Sequence, residues 1–175
     1  MKKIISLFTA VLLISATNAQ TSKGTWLAGG SLGFTSQSSS GNTASSLTIA
    51  PSAGYFVSDN TAMGFTFALN SNSGGGTTTT IFAAGPFVRY YFAEIGKKAK
   101  LMAQAEFANG TSKQTTSGGS SFSSSSTAWG ISAGPAFFLN KNVALETTIR
   151  YGSLKPENSN SINNFSVGVG FQIHL

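Results

Sequence analysis

Phe82-Ala83-Ala84-Gly85-Pro86-Phe87-Val88-Arg89-Tyr90-Tyr91-Phe92 alternates with a period of two. Set on an extended backbone, Phe82, Ala84, Pro86, Val88, Tyr90 and Phe92 share one face. Ala83, Gly85, Phe87, Arg89 and Tyr91 share the other. One face is wholly apolar, and the other mixes small residues, aromatics and a single charge. A helix would scatter these groups around its circumference, so the run predicts a strand that separates two different environments.

The same pattern recurs on both sides of this run. Towards the N-terminus, Trp26-Ala28-Gly30-Leu32-Phe34, Leu47-Ile49-Pro51-Ala53-Tyr55-Val57 and Met63-Phe65-Phe67-Leu69 each form an apolar face. Towards the C-terminus come Leu101-Ala103-Ala105-Phe107, Trp129-Ile131-Ala133-Pro135-Phe137-Leu139, Val143-Leu145-Thr147-Ile149-Tyr151 and Val167-Val169-Phe171-Ile173-Leu175. Eight strands of about ten residues are predicted, the length that crosses a bilayer at a tilt of about 45°. The connections alternate in length. Ser58-Asp59-Asn60, residues 94–99 and Asn140-Lys141-Asn142 read as short turns. Residues 36–45, 71–78, 110–126 and 153–163, rich in Ser, Thr, Gly and Asn, read as long mobile loops.

Charge decides which face points outward. Arg89, Glu106, Glu146 and Arg150 all fall on the glycine-bearing face, and the opposite face carries no charge in any strand. A lumen of eight strands is only wide enough for side chains. Turning every Phe, Trp, Tyr, Leu and Pro of the apolar faces inward would overfill it, and would leave a soluble wall of glycine and serine. The expected fold is therefore all-β, an eight-stranded antiparallel up-and-down transmembrane barrel with its apolar face towards lipid and no open edge. Trp26, Tyr55, Tyr90, Phe92, Phe137 and Phe171 fall near one end of their strands, and Phe34, Phe82, Phe107, Trp129 and Tyr151 towards the other. Two aromatic girdles at the two interfaces are expected. Pro51, Pro86 and Pro135 each remove a ladder donor in a barrel without edges, so β-bulges or bends are expected there.

The N-terminus supports export. Lys2 and Lys3 precede an apolar stretch from Ile4 to Ile14, and Thr17 and Ala19 occupy the small-residue positions of a cleavage site. Residues 1–19 are expected to be a signal peptide, cut between Ala19 and Gln20, with residues 20–175 forming one barrel domain. The chain has no cysteine, which excludes disulfides, thiolate metal sites and a lipid anchor. Without Lys2 and Lys3, nine Lys/Arg face five Asp/Glu, yet charged residues are only 9% of the chain, against about 25% in a typical soluble domain. The one basic cluster, Lys97, Lys98 and Lys100, sits at a turn and reads as solvated, so nucleic acid is not an expected partner.

Gly85-Pro86-Phe87-Val88-Arg89-Tyr90-Tyr91-Phe92, its echo Gly134-Pro135-Ala136-Phe137-Phe138-Leu139 and the closing strand from Ser166 to Leu175 together resemble the small outer-membrane β-barrel domains of Gram-negative envelopes, porin-like and of the OmpA/OmpX/OmpW type. The resemblance spans essentially all of residues 20–175. It implies an outer-membrane location, with termini and short turns periplasmic and long loops extracellular. Implied partners are outer-membrane lipids and, during biogenesis, periplasmic chaperones and the barrel-assembly machinery; a monomer is expected. Such barrels usually end in an aromatic read at assembly; here Phe171 and Ile173 fit that signal, and the last residue is Leu175 instead.

The strongest polar constellation is the lumen charge network of Arg89, Glu106, Glu146 and Arg150. A charge in a narrow lumen is costly unless paired. Arg89 is expected within diagonal reach of Glu106 across the turn at residues 94–99, and Glu146 and Arg150 lie four apart on one strand. Inward Phe56, Phe87, Tyr91, Met102 and Phe138 favour a filled interior. His174, the only histidine, lies at the expected periplasmic end, far from any outer-leaflet substrate. No catalytic residue, metal site or cofactor is expected. A structural or cell-surface role without catalysis is the leading expectation. A narrow porin-like channel for small, hydrophobic solutes, with sideways exit as the OmpW-type resemblance implies, is the alternative.

Overall fold

The computed structural model describes residues 21–39, 42–96, 98–157 and 160–175. The expected signal peptide, residues 1–19, lies outside them. Eight strands follow one another: β1 (Trp26–Ser39), β2 (Asn42–Ser58), β3 (Thr61–Gly74), β4 (Thr77–Ile95), β5 (Ala99–Thr116), β6 (Ser121–Phe138), β7 (Val143–Pro156) and β8 (Ile162–His174). Each pairs antiparallel with the next, and β8 closes on β1 as a barrel.

The strands run to 19 residues, far beyond the expected ten. All four segments expected as mobile loops are largely ladder, and Ser36–Ser39 pairs with Asn42–Ser45. Ser71–Gly74 pairs with Thr77–Thr80, and Gly110–Thr115 pairs with Ser121–Ser126. Ser153 and Leu154 pair with Asn163 and Ile162. Ser and Thr carry no apolar signal, but their backbones extend a ladder already begun in the barrel wall. The hairpin tip is written in glycine. Gly75 and Gly76 have φ of 58° and 74°, the positive values that a two-residue hairpin turn demands at both central positions. The Ser117 backbone N–H and hydroxyl both donate to the Gly76 carbonyl, each at 2.8 Å, tying the β3–β4 tip to the β5–β6 tip. At the opposite end Asn60 takes φ of 64° in the tight turn between β2 and β3, a conformation asparagine tolerates better than most residues.

The prolines do not sit at bulges. Pro51 pairs with Gly30, Pro86 with Phe65 and Pro135 with Leu101. On the other side of each strand, pairing lapses for two positions and resumes in the same register. A missing N–H costs one ladder bond without requiring an extra residue. The preceding glycines explain how the strands stay close. The Phe107 and Thr147 carbonyls occupy the places where a Cβ of Gly85 and Gly134 would lie. The register shifts fall instead between Phe56 and Ser58 and between Tyr91 and Ala93, near the short-turn end.

The core lies inside the barrel. Leu27, Phe56, Ala62, Phe87, Tyr91, Met102, Ala136, Phe138 and Ala144 form one buried cluster in the short-turn half of the lumen. The segment from Thr21 to Thr25 lies beneath it. Gly24 donates to the Phe56 carbonyl, and Trp26 and Leu175 exchange two backbone bonds of 2.8 Å that join the first strand to the end of the chain.

Candidate functional site

Above the apolar cluster the inward charges meet. Arg89 Nη1 lies 2.7 Å from Glu146 Oε1, with both side chains almost fully buried. The Tyr91 hydroxyl bridges them, accepting from Arg89 Nη1 at 3.3 Å and donating to Glu146 Oε1 at 3.4 Å. The Arg89 guanidinium also stands 5.9 Å from the centre of the Phe87 ring. Further up, Arg150 grips Glu106 Oε1 with Nε at 2.8 Å and Nη2 at 2.6 Å.

The four charges expected in the lumen are thus together, but with exchanged partners. Arg89 pairs with Glu146 rather than Glu106. The register does leave Glu106 diagonal to Arg89, with Arg89 opposite Gln104 and Phe87 opposite Glu106, but Gln104 lies between the two and the carboxylate that closes on Arg89 comes from β7 across the lumen. Gln104 accepts from Arg89 Nε at 2.9 Å and donates to Glu106 Oε2 at 3.0 Å. One connected network therefore runs Arg150–Glu106–Gln104–Arg89–Glu146. Arg150 reaches Glu106 across β6, where Gly130 stands between them. A Cβ on Gly130 would lie 2.6 Å from Arg150 Nη2 and 2.8 Å from its Cζ, so the guanidinium lies in the space that a side chain there would take.

Below the network, His174 is buried among the rings of Phe138, Phe56 and Tyr91, at centroid distances of 5.2, 5.8 and 6.0 Å. At the short-turn mouth, Lys100 departs from the solvated reading. It is half-buried, donating to Thr21 Oγ1 at 2.9 Å and Asn60 Oδ1 at 3.3 Å, and it pairs with Glu94 at 3.2 Å. Lys98 is exposed, and Lys97 lies outside the described residues.

All eleven aromatics expected in the girdles, Trp26, Tyr55, Tyr90, Phe92, Phe137, Phe171, Phe34, Phe82, Phe107, Trp129 and Tyr151, are exposed on the outer wall. Trp26 meets Tyr55 edge-on at 5.3 Å near the short-turn end, and Trp129 meets Tyr151 edge-on at 6.0 Å nearer the hairpins. Phe171 pairs with Gly30 and Leu145, and Ile173 pairs with Ala28 and Val143.

A family model described as the outer membrane protein beta-barrel domain matches residues 6–172. The chain belongs to this family. Among solved structures, this outer-membrane barrel is similar to Neisserial surface protein A (NspA), with a TM-score of 0.65, 19% identity, and coverage of 86% of this chain and 97% of that one. It is also similar to the N-terminal β-barrel domain of Pseudomonas aeruginosa OprF, with a TM-score of 0.57, 13% identity and coverage of 87% and 98%. No curated protein matches the sequence. At these identities the structural likeness speaks for the fold.

The polar residues that sequence reading missed are Gln104 in the lumen network and Thr21 and Asn60 around Lys100 at the short-turn mouth. Gln104 carried a usable signal, since it shares the inward parity of Glu106 two positions on. Thr21 and Asn60 carried none, because their roles depend on how the chain closes.

Proposed function

We propose that this outer-membrane barrel serves a structural or cell-surface interaction role, closed along its axis and without catalysis. The observation that carries it is the filling of the lumen. An aromatic cluster occupies the short-turn half, and a five-residue polar network spans the lumen above it. Eight strands leave an interior that side chains can fill, and this fill weighs against a narrow porin-like channel. The seat of His174 among three rings supports the non-catalytic reading.

In this reading the outward aromatics meet lipid, and the girdles around Trp26–Tyr55 and Trp129–Tyr151 lie at the two interfaces. The short turns and both termini face the periplasm, and the paired hairpins rise from the cell surface as stiff ladders. Phe171, Ile173 and Leu175 present the closing strand to the assembly machinery and its chaperones, and the barrel works as a monomer.

The orientation is testable because the chain has no cysteine of its own. Single cysteines at Gly118, in the β5–β6 tip, and at Lys141, in the β6–β7 turn, are exposed to a membrane-impermeant maleimide on intact cells. Gly118→Cys is labelled at once, and Lys141→Cys only after the outer membrane is broken. The reverse pattern would refute the proposed surface role.

A further inference from the structure

The wall is not uniformly zipped. Between β1 and β8, pairing covers only Leu27–Ser31 with Gly170–His174. Yet β1 continues to Ser39 and β8 begins at Ile162, which leaves eight positions of each strand unpaired along this seam among the described residues. The inward-facing residues here, Gly33, Asn164 and Ser166, are exposed, whereas Thr48 and Thr148 on the adjacent strands are half-buried. A Cβ on Gly33 would meet nothing nearer than Thr48 Cβ at 3.8 Å, and one on Gly168 nothing nearer than Thr148 Oγ1 at 3.4 Å. The seam is therefore a slot with small residues on its inner lining.

Its outer lips are the opposite. Leu32 and Phe34 are each 71% exposed, and Phe165, Val167 and Val169 are 68%, 66% and 56% exposed. The slot thus begins inside the apolar band of the wall. Unpaired backbone at that depth is tolerated only where it is buried in protein or lines a water-filled space; the exposure of the inward Gly33, Asn164 and Ser166 fits the second, a slot that joins apolar surroundings to the upper lumen. Behind it stands Arg150. Its Nε and Nη2 are committed to Glu106, while Nη1 points to Asn164 Oδ1 of β8 through a long bond of 3.4 Å. Gly152 makes that arm possible, because a Cβ there would lie 2.9 Å from Nη1.

From this juxtaposition we infer that the β1–β8 slot binds a single-chain anionic amphiphile. Its acyl chain lies between Leu32–Phe34 and Phe165–Val169, and its head accepts a hydrogen bond from Arg150 Nη1 in place of Asn164. The slot ends on the Arg150–Glu106 pair and the filled lumen below, which makes it a binding site rather than a passage. The inference that the slot binds such a molecule rests on the barrel lying in a membrane and not on its orientation; only its being a dead end rests on the axial closure proposed above.

The probe is palmitic acid bearing a diazirine in its chain, photolysed with the refolded barrel in phospholipid nanodiscs and located by peptide mass spectrometry. Adducts are expected on Leu32–Phe34 and Phe165–Val169, exceeding those on the β3 wall at Met63–Phe67. Replacing the acid by its methyl ester, or the pair by Glu106→Gln with Arg150→Gln, is expected to cut seam labelling about tenfold, the worth of one charge-assisted hydrogen bond. Gly168→Leu fills the slot without touching the network and should cut it as far. Heat-modifiable gel mobility confirms that each variant is folded. Competition separates the sources of the head: unlabelled palmitate displaces the probe from a carboxylate site, lysophosphatidylglycerol from a phosphate site. Displacement by neither, even labelling around the wall, or equal seam labelling by acid and ester would overturn the inference.

Discussion

Glu146→Ala destabilises the barrel by about 3–5 kcal/mol, because it strands the Arg89 guanidinium without a counter-charge in the lumen. Arg89 is 4% exposed and Glu146 2% exposed, so water cannot replace the lost carboxylate. Gln104 and Tyr91 still accept from the guanidinium, but neither carries charge. The informative comparison is Arg89→Met with Glu146→Leu. Substituting both members of a buried pair by apolar residues of similar size is often neutral or stabilising. The double variant is therefore expected to recover most of the loss. Denaturant titration of the barrel folded in lipid vesicles, followed through Trp26 and Trp129, measures all three proteins. A single variant as stable as the parent would show that the pair is not closed in the folded lumen.

The second large effect is expected at Phe56. Its side chain is fully buried, 6.0 Å from the Tyr91 ring and 5.8 Å from the His174 ring, centroid to centroid. Phe56→Ala removes the centre of the aromatic cluster and leaves a cavity, at a cost of about 3–5 kcal/mol. Phe122, a residue of the same kind at 70% exposure, supplies the contrast. Phe122→Ala is expected to change stability by less than about 0.5 kcal/mol. Equal losses at the two positions, by the same titration, would mean that Phe56 does not carry the lumen core.

Strand identity and facing were legible because a period of two survives any register. Phe87, Arg89 and Tyr91 point inward wherever β4 slides by an even number of residues. Partner choice depends on which side chains meet across the lumen between strands that do not pair, and that was not legible. The expected diagonal of Arg89 and Glu106 is present, with Gln104 between them, but Glu146 reaches Arg89 from β7 across the lumen. The strand extensions were hidden for a different reason. Serine and threonine ladders above the apolar band bury no apolar face, so their alternation leaves no hydropathy trace, and the glycine pairs Gly75-Gly76 and Gly118-Gly119 mark two of their tips. The half-open β1–β8 seam is beyond a sequence reading altogether. It depends on where closure of the first strand on the last one stops.

The lumen is filled by an aromatic cluster beneath a buried ion pair. Single-channel recording of the purified barrel in planar lipid bilayers tests it most directly. Silence is expected, with no discrete openings from the folded protein. Reproducible unitary conductance steps from protein shown to be folded by its gel mobility would contradict it.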